Sequence, residues 1–484
     1  MLVTALLLTP LVTAGLCLLS PRGRWINYLS LLGLLALTLQ SINLGYKVFM
    51  DGPWASGPWM VDELSVLFLL MTSGISLLIG IYARSYLDRE RLDLELGPHD
   101  HRLYHVFIHL FLLTMILVLV ADSLGLMWIA IESTTLASAL LVAHHRSAES
   151  MDAAWKYVII CSVGIALAFM GVILVYASGL DLLGDSPAAL DWSALSAVAS
   201  QLDPALIKLS FIFIITGYGT KAGLAPMHTW LPDAHSQAPS PVSAMLSGLL
   251  LNCAMYGIIR FHILTEAAVP GFSSTLLLGF GLLSMAVAAI FIGSTQDLKR
   301  LLAYSSIEHM GIVAVAVGIG GSWGCLAAVL HLLGHSLTKS ALFLSAGDIV
   351  QEYGGRALES IKGLGSSLPF SGRVFTAASL GIVGLPPFPL FVSEVIIIYA
   401  ALSAGLLWVA AVFLILLAII AALFLWRLVA MLSGDGFDAP RKTPLSRALP
   451  MLLLLLAALA LGLFIPDVVL DLLGAAASIL GGGC

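Results

Sequence analysis

The sequence predicts an all-α integral membrane protein with fourteen transmembrane helices, and three observations carry this. The 484 residues are 60% hydrophobic and only 10% charged, where a soluble domain averages about 25% charged residues. Apolar windows of about 20 residues, long enough to cross the hydrocarbon layer, recur along the whole chain. The basic residues collect in alternate connections between those windows.

The windows lie near residues 2–20, 25–47, 62–84, 103–121, 123–143, 154–178, 205–226, 239–262, 273–293, 299–319, 322–346, 373–401, 405–431 and 447–472. The first lacks an early basic region and a small-residue cleavage site, so a retained span is expected there and not a signal peptide. The odd-numbered connections carry Arg22 and Arg24; Arg84, Arg89, Arg91 and Arg102; Arg146 and Lys156; Lys299 and Arg300; Arg356, Lys362 and Arg373; and Arg427, Arg441, Lys442 and Arg447. Together these are 17 of the 22 Lys and Arg residues. The even connections hold Lys47 and Arg260, and Lys208, Lys221 and Lys339 fall inside spans. The connection Gly179–Pro204 has Asp181, Asp185, Asp191 and Asp203 and no basic residue. Positive charge stays on the cytoplasmic side, so the odd loops, Leu87–Arg102 among them, are expected in the cytoplasm and both termini outside, in a cell inner membrane.

Two spans are interrupted. Span 7 runs into Pro226 and Pro232, and span 12 contains Pro386, Pro387 and Pro389. A proline can merely kink a packed helix. Here each interruption has an ionisable residue within five positions, Lys221 in one case and Glu394 in the other. Non-helical backbone at membrane depth is tolerated where protein or a hydrated cavity surrounds it. Interruptions in corresponding places of two halves point to inverted repeats with an ion path between them.

Composition also excludes functions. The net charge of −6 comes with no basic run that would suit nucleic acid. Cys17, Cys161, Cys253, Cys325 and Cys484 are scattered and form no CxxC pair, so metal or iron–sulfur ligation has little support. No nucleotide, flavin or metal motif is present. No cofactor and no metal are expected in this chain, and any catalytic centre belongs to a partner.

The ionisable residues inside spans are the candidate site. Lys221 stands in a membrane-length segment, where a lysine costs roughly 2.5–3.5 kcal/mol on insertion scales. A lysine held in an apolar interior can bind and release a proton near neutral pH. Glu132, in mid-span 5, is expected to neutralise it; alone it could be a satisfied structural carboxylate. His331, His335 and Lys339 recur at i, i+4 and i+8, which lays three titratable groups along one helical face as a wire for protons. An HxxxH pair can also bind a metal, but no third ligand is suggested nearby. His228, Asp233 and His235 cluster beyond the interruption in span 7, with a structural role favoured for Asp233. Glu308 and His309 are adjacent and point about 100° apart on a helix, so at most one is expected to face the path. Lys208 is expected to snorkel to the outer surface.

Three stretches, GTKAGLAPMHTWLPDAHSQAPSPVSAMLSGLLLNCAMYGIIRF, STQDLKRLLAYSSIEHMGI and HLLGHSLTKSALFLSAGDI, resemble the proton-conducting antiporter-like subunits of complex I, Mrp-type antiporters and membrane-bound hydrogenases. The resemblance covers spans 4 to 13. It implies two inverted five-helix repeats, helices 4–8 and 9–13, with helices 7 and 12 broken. The division it suggests is 1–102 for helices 1–3 and a loop, 103–262 and 273–431 for the repeats, and 432–484 for a loop and helix 14. By motif position, Glu132 matches the family's helix 5 glutamate and Lys221 its partner lysine; Lys339 matches the central lysine and Glu394 the terminal charged residue. The residues implied to move protons are Glu132, Lys221, His228, His235, His309, His331, His335, Lys339 and Glu394. Asn252 stands where some relatives carry a lysine, so the link between Lys221 and Lys339 must use water or His228, His235 or His309. The stretch over helices 5 and 6 is similar to the hydrogenase-4 branch, membrane subunits of formate-hydrogenlyase-like complexes. That branch implies other membrane subunits and peripheral hydrogenase and iron–sulfur subunits on the cytoplasmic side as partners, in a redox-driven proton pump. The alternatives are a subunit of an Mrp-type Na⁺/H⁺ antiporter or of NADH:quinone oxidoreductase, and a non-conducting scaffold that the set of buried charges argues against.

Overall fold

The computed structural model describes residues 2–20, 23–93 and 97–482. Arg22, Cys484 and positions 94–96 of the loop Leu87–Arg102 lie outside the described residues. The chain opens with α1 (Leu2–Leu19) and α2 (Gly23–Asp51), followed by a short antiparallel hairpin, β1 (Trp54–Ser56) and β2 (Trp59–Val61), that pairs Trp54 with Val61. Then come α3 (Glu63–Asp93), α4 (Pro98–Val120), α5 (Leu124–Val142), a 3-10 turn (Ala143–His145) and α6 (Ala148–Leu183). The connection after α6 is mostly short helical turns, with α7 at Trp192–Ala197. Span 7 is α8 (Pro204–Ala222) and α9 (Trp230–Gln237). Span 8 is α10 (Ser240–Met245), a π-helical turn (Leu246–Leu250) and α11 (Leu251–Ala268). The second half has α12 (Phe272–Ser294), α13 (Leu298–Ile319) and α14 (Gly321–Tyr353), then the short α15 (Leu364–Ser367). Span 12 is α16 (Ser371–Ile382) and α17 (Pro389–Ser403), followed by α18 (Leu407–Leu432), α19 (Leu445–Leu463) and α20 (Asp467–Leu480).

Thirteen helical segments among the described residues are long and apolar enough to cross a membrane, and the divided span 12 makes the fourteenth crossing. The order of packing repeats. α4 packs on α5, α5 on α6 and α6 on α8; α12 packs on α13, α13 on α14 and α14 on α17. Each series ends on a broken span. A unit of five crossings delivers the chain to the opposite face, so the second unit enters the membrane inverted. Small residues let these neighbours approach closely. A Cβ added to Gly217 would lie 2.4 Å from the Gly164 carbonyl oxygen, and one added to Gly281 would lie 2.6 Å from that of Gly311.

The most apolar stretch of the span Ser240–Ala268 is wholly buried among other helices, whereas that of Leu407–Leu432 is only 28% buried. The first is therefore a central axis and the second a peripheral helix. Span 14 departs from expectation. Its helix stops at Leu463, Phe464 takes up extended backbone, and Pro466, which has no N–H to donate, precedes the separate α20. The end of α19 packs on the break in span 12, where a Cβ on Gly462 would meet the Pro387 carbonyl at 1.9 Å.

Three basic residues assigned to connections are buried instead. Arg260 lies inside α11, fully enclosed, where its guanidinium meets Asp62 at 2.6 Å, donates to Ser65 and Tyr256 and stacks 4.4 Å from the Trp192 ring centroid. Lys299 and Arg447 are each 4% exposed. Lys299 donates to the Ala238 carbonyl, and Arg447 donates to Asp348 at 3.0 Å and to the Ser85 carbonyl at 2.7 Å. Long side chains near helix ends can turn inward when a buried acceptor is within reach, a choice that a count of charges per loop does not register.

Candidate functional site

Lys221 occupies the last turn of α8 and is fully buried. The helix ends there because Gly223 adopts a left-handed conformation (φ +78°), and a Cβ on it would strike Leu231 at 2.4 Å. The partial negative charge of a helix C-terminus suits an ammonium group. Lys221 Nζ donates to Thr135 Oγ1 at 2.8 Å and to the Tyr157 hydroxyl at 2.6 Å. It does not meet Glu132, whose Oε1 accepts from Ser162 at 2.6 Å and whose Oε2 is buried without a partner. The expected ion pair is thus replaced by hydroxyls, although Glu132 remains within electrostatic reach of the lysine.

From Lys221 the polar groups continue inward. Tyr157 stacks on Trp230 at 4.6 Å between centroids, and Trp230 lies 6.3 Å from His235 on α9. His235 Nδ1 is 2.9 Å from the Leu231 carbonyl, and its Nε2 is buried without a partner. His235 feels the charge of both Lys339 and Lys299. His228, in the turn between α8 and α9, faces Phe291 of α12 at 6.2 Å, and the structure does not bring it to this row. Asp233 pairs with Lys156 at 3.3 Å and with Arg300, which makes it a surface tie between α6, α9 and α13. Lys208 is exposed near the start of α8, 5.9 Å from the Phe272 ring.

In the second half, Lys339 Nζ donates to the Leu302 carbonyl at 2.8 Å and to Ser305, both on α13. The predicted stripe on α14 is present and fully buried, but it is completed by another helix. His309 of α13 stands against both α14 histidines, with its Nδ1 2.9 Å from His331 Nε2 and its ring 5.3 Å from that of His335. His331 Nδ1 lies 2.9 Å from Ser393 Oγ, next to Glu394. Both ring nitrogens of His335 lack partners. His331 has both ring nitrogens engaged.

Sequence reasoning missed Glu308. It is 3% exposed and within electrostatic reach of both Lys339 and Glu394. Glu308 and His309 therefore both face the row, against the expectation of at most one. The α13 backbone points them in different directions, but α14 meets both, with Lys339 in electrostatic reach of Glu308 and His331 and His335 against His309. The signal was available: Glu308 is a glutamate inside an apolar span, placed in the second helix of its repeat as Glu132 is in the second helix of the first. Glu394 is itself buried on α17, and Gly384 (φ +69°) leaves room for its carboxylate, since a Cβ there would lie 2.0 Å from Oε2.

The two halves meet at the π turn. Gly248 sits in it with Ser340 Oγ 2.7 Å from where a Cβ would be. Its carbonyl accepts from Asn252 Nδ2 at 3.0 Å and from Ser336 Oγ at 2.7 Å, and Asn252 Nδ2 also reaches Ser336 at 2.5 Å. Ser247 and Ser306 join α13 to the same turn at 2.8 Å. Such π turns often mark functional positions. At the site where a lysine was absent, hydroxyls and a carboxamide form the junction.

Residues 121–420 match the family described as NADH:quinone oxidoreductase/Mrp antiporter, and residues 55–93 match that of the complex I chain 5 N-terminus. The chain is 41% identical over 416 residues to a protein described as hydrogenase-4 component F homolog from Methylacidiphilum infernorum, covering 85% of this chain and 87% of that one. Some further relatives are longer, among them hydrogenase-4 component B from Escherichia coli, and the chain spans about half the length of these at 29–31% identity. Among solved structures, a chain of the membrane-bound sulfane sulfur reductase, an archaeal respiratory membrane complex, superposes with a TM-score of 0.88 at 24% identity, over 99% of this chain and 97% of that one. A chain of the Mrp complex from Dietzia sp. gives 0.87 at 22% identity, over 99% and 97%.

Proposed function

The chain belongs to the NADH:quinone oxidoreductase/Mrp antiporter family of membrane subunits, and from that premise we propose that it carries protons for a redox-driven complex, a membrane-bound hydrogenase of the formate-hydrogenlyase type. The observation that carries this reading is the buried row from Lys221 through Tyr157, Trp230 and His235 to Lys339, His309, His331, Glu308 and Glu394. A buried lysine that gives up its proton can be recharged from a neighbouring imidazole, and a carboxylate at the far end accepts what the lysine releases. Glu132 biases the Lys221 end without touching it, so a small movement of α5 against α8 changes how firmly Lys221 holds its proton.

The hydrogenase assignment is supported by the 41% identity to a hydrogenase-4 component F homolog. Partners on this reading are other membrane subunits and peripheral hydrogenase and iron–sulfur subunits at the basic face, which we place in the cytoplasm of a cell inner membrane with both termini outside. We assign residues 103–262 and 273–431 to the two repeats. Affinity purification through a tag on this chain tests the assignment. Nickel–iron hydrogenase subunits should co-purify, and proton uptake by the reconstituted complex should be independent of Na⁺. Recovery of small antiporter subunits alone, with Na⁺-dependent exchange, would replace it with the Mrp-type reading.

A further inference from the structure

Five imidazoles outside the central row form a cluster of their own. His101, His105 and His109 recur at every fourth residue of α4, over about 12 Å of helix axis. His144 and His145 occupy the 3-10 turn after α5. Ring centroids lie 4.9 Å apart for His101 and His105, 5.5 Å for Tyr104 and His144, and 6.0 Å for His144 and His145. Both ring nitrogens of His101 and of His105 are buried with no hydrogen-bond partner. Leaving buried polar atoms unpaired is costly, so four of them in one place call for an explanation. Among the described residues, no three such groups are arranged to hold a metal ion.

The surroundings point to protons. A crevice of about 180 Å³ beside the cluster is lined by Asp100, Tyr104, His144 and Arg146 among others, and Arg146 is well exposed at the basic face. His109 Nε2 is 3.0 Å from Ser30 Oγ of α2, which closes the inner end of the α4 stripe. The charged groups facing the cluster are Asp88, Glu90 and Arg91 of α3 and Asp100 of α4, the last paired with Arg146 at 2.5 Å. His145 Nε2 lies 2.9 Å from Glu90 Oε1, and Glu90 Oε2 is buried without a partner. Tyr86, one turn before Glu90 on α3, accepts from the Ser240 N–H at the start of α10 at 3.4 Å, and Lys299 donates to the Ala238 carbonyl, three residues past His235. Lys299 is also within electrostatic reach of Arg356, Asp297 and Glu90, and His235 within reach of Lys299.

We propose that this cluster is a proton-uptake site on the basic face, which passes protons through Glu90 and Lys299 to His235 and so into the central row. The proposal rests on reading that row as a proton path. Each imidazole takes a proton from water in the crevice or from its neighbour at one nitrogen and releases one from the other. The ring returns to its neutral form, no bond between heavy atoms changes, and no oxidant is needed.

The test uses the assembled complex in liposomes, with a pH dye reading proton translocation driven by electron transfer at pH 6 and pH 8 on the basic face. A His101→Gln/His105→Gln pair should lower translocation at pH 8 by about threefold or more, where free protons are scarce, and recover toward the parent at pH 6. Glu90→Gln should lower it at both pH values. His105→Phe, of similar bulk and without a titratable group, repeats the measurement if the glutamine pair fails to assemble. Lys339→Met serves as the reference for the row itself. Parent rates at pH 8 in all the cluster variants, with Lys339→Met inactive, would overturn the uptake site and leave the row standing. Parent rates in Lys339→Met would overturn the row and the uptake site with it.

Discussion

Lys221 and Thr135 are joined at 2.8 Å, and Thr135 stands one helical turn beyond Glu132 on α5. The lysine is thus held one turn away from the carboxylate expected to neutralise it, with hydroxyl groups between. Glu132→Ala and Lys221→Ala should each impair proton pumping while the complex still assembles, and the double variant should lose less than the sum. A coupling of roughly 0.5–3 kcal/mol is expected for groups in one network. Thr135→Val should reduce that coupling. Strictly additive losses in reconstituted vesicles would mean that Glu132 and Lys221 act independently.

Lys339 is held by the Leu302 carbonyl and Ser305 on one side and feels Glu308 on another. Lys339→Met keeps the length and removes the titratable group, so translocation should be lost. Lys339→Arg should be nearly as damaging, because arginine does not release its proton. A Lys339→Met complex that pumps with the parent stoichiometry would remove Lys339 from the path.

Glu308→Gln should lower translocation by at least about tenfold, on the scale of losing one proton-transfer group. Glu359→Gln, in an exposed 3-10 turn (Leu358–Ser360), is the control. Equal rates in the two variants would show that Glu308 is a packing residue.

Asp62 and Arg260 form a buried pair inside the bundle. Asp62→Ala leaves the guanidinium unpaired and should lower stability by roughly 3–5 kcal/mol, whereas removing both charges should cost less than removing one. Unfolding in detergent micelles, followed by circular dichroism, measures both.

Topology is checked by labelling single cysteines in intact cells. Ser186→Cys should react from outside and Leu92→Cys should not, since the two positions lie at opposite faces. Labelling of only the second would invert the arrangement and its repeats.

The crossings, their breaks at Pro226 and Pro387, and the stripe at His331, His335 and Lys339 were legible in the sequence, because hydropathy, proline and i, i+4 spacing are local properties. What escaped was decided between helices. Glu308 looked like the neighbour of His309, and only α14 gives each a partner. Arg260 looked like a loop residue until Asp62, almost two hundred positions away, supplied its acceptor. The end of α19 escaped for a related reason: Leu463 to Pro466 reads as apolar span, and the turn of Phe464 away from the helix is not visible in hydropathy.

The π turn at Leu246–Leu250 holds one residue more than an α-helical turn would. Deleting Gly248 would let the helix close up to ordinary winding while Tyr256 and Arg260 kept their directions toward Ser65 and Asp62. Such a chain should insert and assemble, yet lose the carbonyl that gathers Asn252 and Ser336. A shortening by one residue is therefore a lesion aimed at the junction of the two halves.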